Sequence, residues 1–309
     1  MIMKAAVYHS FGGPEVLEVV EVPEPKMFAD QVRIRIKATA LNPVDLGFQA
    51  GAVDPLVDSF FPVIPGWDVA GIVEEAGTGT TGFKPGDEVI GFVRGAIQRY
   101  GTYAEQIAAE PRQLVRKPAN FDWGQAAGLP LAGLTAYQAV VHALDVREGE
   151  TVLVHGAGGG VGHLAVQIAA ARGASVIGTA SQSNHDYLRF VGVQPVAYGD
   201  GLADRVRALA PGGVDAVLDT AGRGALAITQ RIGTADIRVA SVANSNEHPG
   251  TIQVFAHLDQ ADLEALVDLA EAGKLSVRVA RSFPLDQAAD AQRLLADGHS
   301  GGKIVLAVA

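Results

Sequence analysis

Apolar and polar positions change rhythm once along the chain. Up to residue 121 they alternate or run in short β-branched stretches, at residues 4–8, 17–22 and 31–40. In the last of these, Gln-Val-Arg-Ile-Arg-Ile-Lys, every second side chain is apolar, which predicts a strand with one packed and one wet face. Gly12-Gly13-Pro14, Pro23-Glu24-Pro25 and Lys84-Pro85-Gly86-Asp87 break the runs as turns. Short strands between such turns predict a partly closed barrel. From residue 122 helical spacing takes over, first at 124–129 and 133–144. Strands then alternate with helices. Residues 215–219 and 238–241 read as strands and 203–209 and 225–233 as helices, with an edge strand at 251–255 and a helix at 259–273. That alternation predicts an α/β, doubly wound parallel sheet. The tail, with strand 277–283, helix 285–297 and strand 303–308, returns most simply to the first domain.

The most informative stretch is Val152 to Gly162, VLVHGAGGGVG. Residues 151–154 form a mostly β-branched run, the pattern of a strand buried on both faces. Residues 156–162 hold five glycines with Ala157 and Val161, and Leu164, Ile168 and Ala171 follow at helical spacing. A dinucleotide pyrophosphate needs this sequence of elements. Backbone N–H groups must be approached without side chains in the way, and a helix N-terminus favours negative charge. The word is A-x-G-x-x-G, on Ala157, Gly159 and Gly162, with Gly158, Gly160 and Val161 inside it and a second strand at 175–179. An NAD site places an acid about 20 residues further on, for the ribose 2′-hydroxyl. Here Thr179-Ala180-Ser181 stands there, and Asp186 is the next carboxylate. With no acid to repel a 2′-phosphate, and with Ser181, Asn184, His185 and Arg189 as donors, the sequence favours NADPH over NADH. Arg189 reads equally as a solvated helix charge.

Composition narrows the partners. With 34 acids against 24 bases the net charge is −10, which argues against a general nucleic-acid or anionic-membrane surface. The chain has no cysteine, so disulfides and thiolate metal sites are excluded and a cytoplasmic location fits. No apolar run reaches membrane-spanning length. Zinc needs three or four converging ligands, whereas His9, His142, His155 and His163 lie in unrelated elements, so no metal site is expected.

The words KAAVYHSFGGPEVLEVVEVPEP, NPVD, PGWDVAGIVEEAG, FKPGDEVIG, GTYAEQ, LPLAGLTAYQAV, the glycine turn and FPLDQAADAQRLLADGHSGGKIVL follow one another from end to end. In that order the chain resembles the medium-chain dehydrogenase/reductase superfamily, and within it the zinc-free quinone oxidoreductase (zeta-crystallin-like) branch. The resemblance implies a GroES-like catalytic domain over 1–121, a Rossmann NADP-binding domain over 122–258 and a return to the catalytic domain over 259–309. It implies hydride transfer from NADPH to a quinone or α,β-unsaturated carbonyl in the cleft between domains, and a homodimer through the edge strand. The superfamily's zinc enzymes have a Cys near Asp45, a His where Trp67 stands and four cysteines in a structural lobe, none of which is present here.

Site roles follow from the resemblance. Asn42 corresponds to an asparagine near the nicotinamide ribose, or is an Asx-Pro turn. Asp45 is the acid of NPVD near the cleft, or a helix cap. Thr135 matches a threonine contacting the carboxamide, or is a helix hydroxyl bonded to its own backbone. Tyr198 and Ser181 match residues beside the 2′-phosphate, and Ser241 and Asn244 lie where the fifth strand presents backbone to the nicotinamide. Lys303 matches the lysine of GKIVL, facing the cleft or solvated in a turn. Asp68 is expected to serve a turn. No proton donor stands out. The loop after NPVD has Phe48, Phe60 and Phe61 but no tyrosine, which leaves solvent, Tyr8 or Tyr103, and both tyrosines read more readily as core. A pathway-specific enone or enoyl reductase and a non-catalytic NADPH-binding, crystallin-like protein are the alternatives.

Overall fold

The computed structural model describes residues 2–52, 57–243, 245–298 and 300–308. The chain opens with an antiparallel pair, β1 (Ile2–Val7) and β2 (Glu18–Pro23). In β3 (Val32–Ala40) the alternation predicted from sequence is met: Val32, Ile34 and Ile36 are buried, while Arg33 reaches Glu24 and Glu75 and Arg35 reaches Glu74. Helix α1 (Pro43–Gln49) starts on a proline, whose missing N–H is no loss at that position. Strands β4 (Asp68–Ala76), β5 (Glu88–Phe92), β6 (Gln106–Ala109) and β7 (Leu114–Arg116) follow, then helices α2 (Trp123–Ala127) and α3 (Pro130–Tyr137). The alternating part runs β8 (Thr151–His155), α4 (Gly162–Ala171), β9 (Ser175–Ala180), α5 (His185–Phe190), β10 (Gln194–Ala197), α6 (Leu202–Leu209) and β11 (Val214–Asp219). It continues with α7 (Thr229–Ile232), β12 (Gly233–Ser241) and β13 (Ile252–Gln253). Helix α8 (Gln260–Glu271), β14 (Val279–Pro284), α9 (Ala288–Asp297) and β15 (Lys303–Ala307) complete the chain.

Two compact units result. The first comprises Met1–Leu131, Leu258–Glu271 and Val277–Ala309. Its sheet has the order β14-β15-β3-β4-β5-β7, with β6 also on β3. The path is open, ending at β14 and β7, and the last strand sits between β14 and β3. Ile34, Ile36, Val69, Ile107, Leu114 and Leu306 belong to its apolar core.

The second unit comprises Ala132–His257 and Ala272–Ser276. Its six strands are parallel, in the order β10-β9-β8-β11-β12-β13. Chain order reverses between β8 and β11, which makes the carboxyl ends of those strands a topological switch point, where sheets of this kind take ligands. Apolar runs such as Val152-Leu153-Val154 and Val217-Leu218 are fully buried, as central parallel strands require.

Three local expectations change. The helix expected at 133–144 is α3 followed by a π-helical stretch, Gln138–Ala143. Gln138 there grips the backbone of His257, with Nε2 donating to the carbonyl at 3.0 Å and Oε1 accepting from the N–H at 3.1 Å. The helix expected at 225–233 breaks into a 3-10 turn, Ala225–Ile228, and α7. The edge strand shrinks to two residues because Thr251 bonds back to the His248 carbonyl in a turn.

Candidate active site

The glycine turn grows directly out of β8. Gly156, at φ 74°, reverses the chain, and its carbonyl accepts from the Gly159 N–H at 2.9 Å. A Cβ on Gly162 would collide with that same carbonyl, so α4 can begin against the turn only with glycine there. Alanine in the first glycine position also has a cause. The Ala157 methyl is buried over β9, where a Cβ on Gly178 would lie 2.7 Å from it. The space the alanine takes is supplied by the glycine beneath. On the other side, a Cβ on Gly158 would be 2.8 Å from Asn184 Nδ2.

Beyond β9, Ser181 gathers polar atoms. Its hydroxyl is 3.0 Å from Ser183 Oγ and accepts from Asn184 Nδ2 at 3.1 Å. Arg189 is exposed and donates to Asp186 at 2.8 Å, three residues back on α5. Tyr198 is exposed just after β10, on a segment whose carbonyls Ala197 and Asp200 accept from Arg205 at 2.8 and 2.7 Å. At the end of β12, Ser241 is fully buried with its hydroxyl bonded inside the protein. Thr135 is half-buried on α3, and Asn244 lies outside the described residues.

In the first unit a second polar centre forms, which the sequence reading did not assemble. Asn42, Asp45, Asp68, Tyr103 and Lys303 come together at 5, 3, 0, 0 and 3% exposure. Lys303 Nζ donates to Asn42 Oδ1 at 2.6 Å and to the Leu41 carbonyl at 3.0 Å, and lies 3.9 Å from Asp68 Oδ2. Asn42 Nδ2 donates to Asp68 Oδ2 at 2.8 Å and to the Ala40 carbonyl at 3.4 Å. Both ends of the amide are therefore engaged within the protein. Asp45 Oδ2 accepts the Asn42 N–H at 2.8 Å, bracing the start of α1, and the Tyr103 hydroxyl at 3.1 Å.

This geometry corrects the solvated-turn reading of Lys303. The lysine opens β15, and its ammonium is enclosed by acceptors that residues 41, 42 and 68 present. Asp68 is likewise more than a turn residue. It opens β4, holds the amide and the lysine with one oxygen, and with the other accepts the Leu131 N–H at 2.7 Å near the start of α3. Trp67, next to it, packs edge-on to Phe48 and Phe92 at 4.8 and 5.9 Å, and the Arg94 guanidinium lies 5.6 Å from its ring.

Two carboxyls and one ammonium share this buried space. Burial, reinforced by the charge of Asp68, pushes the Asp45 carboxyl up to about 7. Burial also raises Asp68 and lowers Lys303, each opposed by the other's charge. The Tyr103 hydroxyl is driven well up by burial and the neighbouring acids, and Tyr8 is pushed up to about 12 by burial and Asp45. Both tyrosines are core residues, and the Tyr103 hydroxyl keeps its proton and donates a hydrogen bond to Asp45.

Residues 29–119 match the family model for the alcohol dehydrogenase GroES-like domain, and residues 191–306 that for zinc-binding dehydrogenases. Over 99% of its length the chain is 32% identical to a chloroplast envelope quinone oxidoreductase homolog of Arabidopsis thaliana, covering 98% of that protein. The chain belongs to the medium-chain dehydrogenase/reductase superfamily. Within the superfamily it falls in the quinone oxidoreductase branch. An NADPH-dependent alkenal/one oxidoreductase of Arabidopsis thaliana is 35% identical over 98% of this chain and 79% of its own. The solved quinone oxidoreductase of Coxiella burnetii matches this medium-chain reductase with a TM-score of 0.84 at 31% identity, each chain covered completely. An NAD-dependent alcohol dehydrogenase matches with a TM-score of 0.92 at 33% identity, over 99% of this chain and 100% of the other.

Proposed function

We propose that this chain is an NADPH-dependent oxidoreductase that passes hydride to a quinone or an α,β-unsaturated carbonyl without a metal ion. The observation that carries the reading is the glycine turn at the switch point, with the next strand ending on hydroxyl and amide donors instead of a carboxylate. In this reading the backbone of residues 157–161 takes the pyrophosphate at the N-terminus of α4. Ser181, with Arg189 and Tyr198, takes the 2′-phosphate, and Thr135, Ser241 and Asn244 border the nicotinamide. Bound NADPH supplies the hydride. The chain's own residues align the electrophile and stabilise the oxyanion that forms.

The first unit's polar centre supports metal independence. The Trp67 ring is packed between aromatics, Asn42 and Asp68 are engaged with each other, and an ammonium stands 3.9 Å from the Asp68 carboxylate. A dication would need these oxygens and would be repelled by that ammonium. Asn42 acts in this reading as the link between Lys303 and Asp68, beside Asp45. The partner is a small electrophile, and two copies of the chain pair through β13, where Ile252 is exposed, and the residues just after it, where Phe255 is exposed. Among the described residues no helix is long and apolar enough to cross a membrane. The cytoplasmic placement belongs to this reading and goes with the cysteine-free composition. The test is turnover: protein, NADPH or NADH, and 1,4-benzoquinone, 9,10-phenanthrenequinone or an alkenal, followed by absorbance of the reduced nicotinamide. Consumption of NADPH with at least one acceptor is expected. Tight NADPH binding with no consumption across the set would replace the enzyme with a binding protein.

A further inference from the structure

Asp219 is the last residue of β11 and is wholly buried. In the sheet register it pairs with His155, the last residue of β8, so it stands across the switch point from the glycine turn. Its carboxylate is saturated by two different loops. Oδ1 accepts the backbone N–H groups of Ala221 and Gly222 at 2.8 and 2.9 Å, in the loop leaving β11. Oδ2 accepts the Ser241 hydroxyl at 3.3 Å, at the end of β12, and the Ser245 hydroxyl in the loop beyond. Ser241 Oγ in turn accepts the N–H groups of Ala243 and Ser245 at 3.1 and 3.2 Å. The loops also lie against each other, since a Cβ on Gly222, at φ 65°, would be 3.4 Å from that of Ala243. Thr220 Oγ1 ties the first loop back to β8 through the His155 carbonyl at 2.7 Å. One buried carboxylate thus sets the backbone of both loops on one side of the crevice. Irregular backbone so close to a sheet needs such partners to stay ordered.

The direction a dinucleotide would take gives this hub a role. The adenosine ribose of such a ligand lies at the end of the second strand, here β9, and the pyrophosphate lies on the turn after β8. The remaining half must then continue over the ends of β11 and β12. We propose that Asp219 is a positioning residue for the nicotinamide half of the cofactor: without touching it, the carboxylate fixes the two loops that border it. This assignment rests on the dinucleotide reading above.

The experiment compares Asp219→Asn and Ser245→Ala with the parent chain, by calorimetric titration with NADPH, NADH and adenosine 2′,5′-bisphosphate, which lacks the nicotinamide half. Asn keeps an oxygen for Ala221 and Gly222 but loses the anionic acceptor for the serines. The expected result is NADPH affinity about tenfold weaker in Asp219→Asn, weaker in the same sense in Ser245→Ala, and unchanged affinity for the bisphosphate in both. If both ligands weaken alike, Asp219 serves the general fold and the proposal falls. Unchanged NADPH affinity in the two variants overturns it as well. If Asp219→Asn does not fold, Ser245→Ala decides by the same criteria. A parent chain that binds none of the three ligands removes the cofactor reading itself, and the assignment with it.

Discussion

Replacing Asp45 with asparagine probes the buried polar centre most directly, because it removes an ionisation and little else. The amide oxygen can occupy the place of Oδ2 between the Asn42 N–H and the Tyr103 hydroxyl. In the folded chain the carboxyl is raised from 3.8 to about 7, by burial first and by Asp68 next. The folded protein therefore holds this proton more tightly than the unfolded chain does. Its stabilising contribution is complete below the unfolded value and is lost as the pH rises through about 7. Working the linkage with these two values, the loss between pH 5 and pH 8 is on the order of 3 kcal/mol. Other titrating groups are common to both proteins and cancel in the difference. Guanidinium unfolding of parent and Asp45→Asn at the two pH values should show the free-energy gap moving by that amount in favour of the variant. A gap that stays constant from pH 5 to pH 8 would refute the reasoning, since Asp45 would then be ionised at no cost.

The other expectations are simpler to state. Ser181→Asp places an acid at the end of β9, where it repels a 2′-phosphate and can accept from a ribose hydroxyl, so cofactor preference should move from NADPH towards NADH; an unchanged kcat/KM ratio for the two cofactors would mislocate the pocket. Dialysis against a strong chelator should leave quinone or alkenal reduction at its original rate, and loss of activity restored by zinc would end the metal-independent reading. Light scattering at micromolar concentration should give twice the mass of one chain, and a monomer mass would remove the pairing through β13.

The second unit was legible in the sequence because its signals are local. A buried strand, a run of glycines and a helix follow one another without a gap, and each constrains its neighbour. The polar centre of the first unit was legible only as separate residues. Asn42, Asp45, Asp68, Tyr103 and Lys303 meet because β15 pairs with β3 and β3 with β4, and no local pattern encodes that strand order. Lys303 shows the difficulty well. Gly301-Gly302-Lys303 has the composition of an exposed turn, and a lysine is buried only where acceptors from distant residues receive it. The NPVD word singles out Asn42, but the engagement of both ends of its amide depends on Lys303 and Asp68, which are distant in sequence. The short β13 and the π-helical stretch depend in the same way on partners, His248 and His257, that spacing alone does not reveal.

The place of β15 between β14 and β3 has a consequence for how the protein is made. As the chain leaves the ribosome, residues 38–40 of β3 wait for partners at 305–307, and Asp68 waits for the ammonium at 303. The second unit draws its own residues from no further along the chain than 276. The half translated in the middle can thus mature while the half translated first is still an unfinished sheet, reversing the usual amino-terminal-first order of assembly.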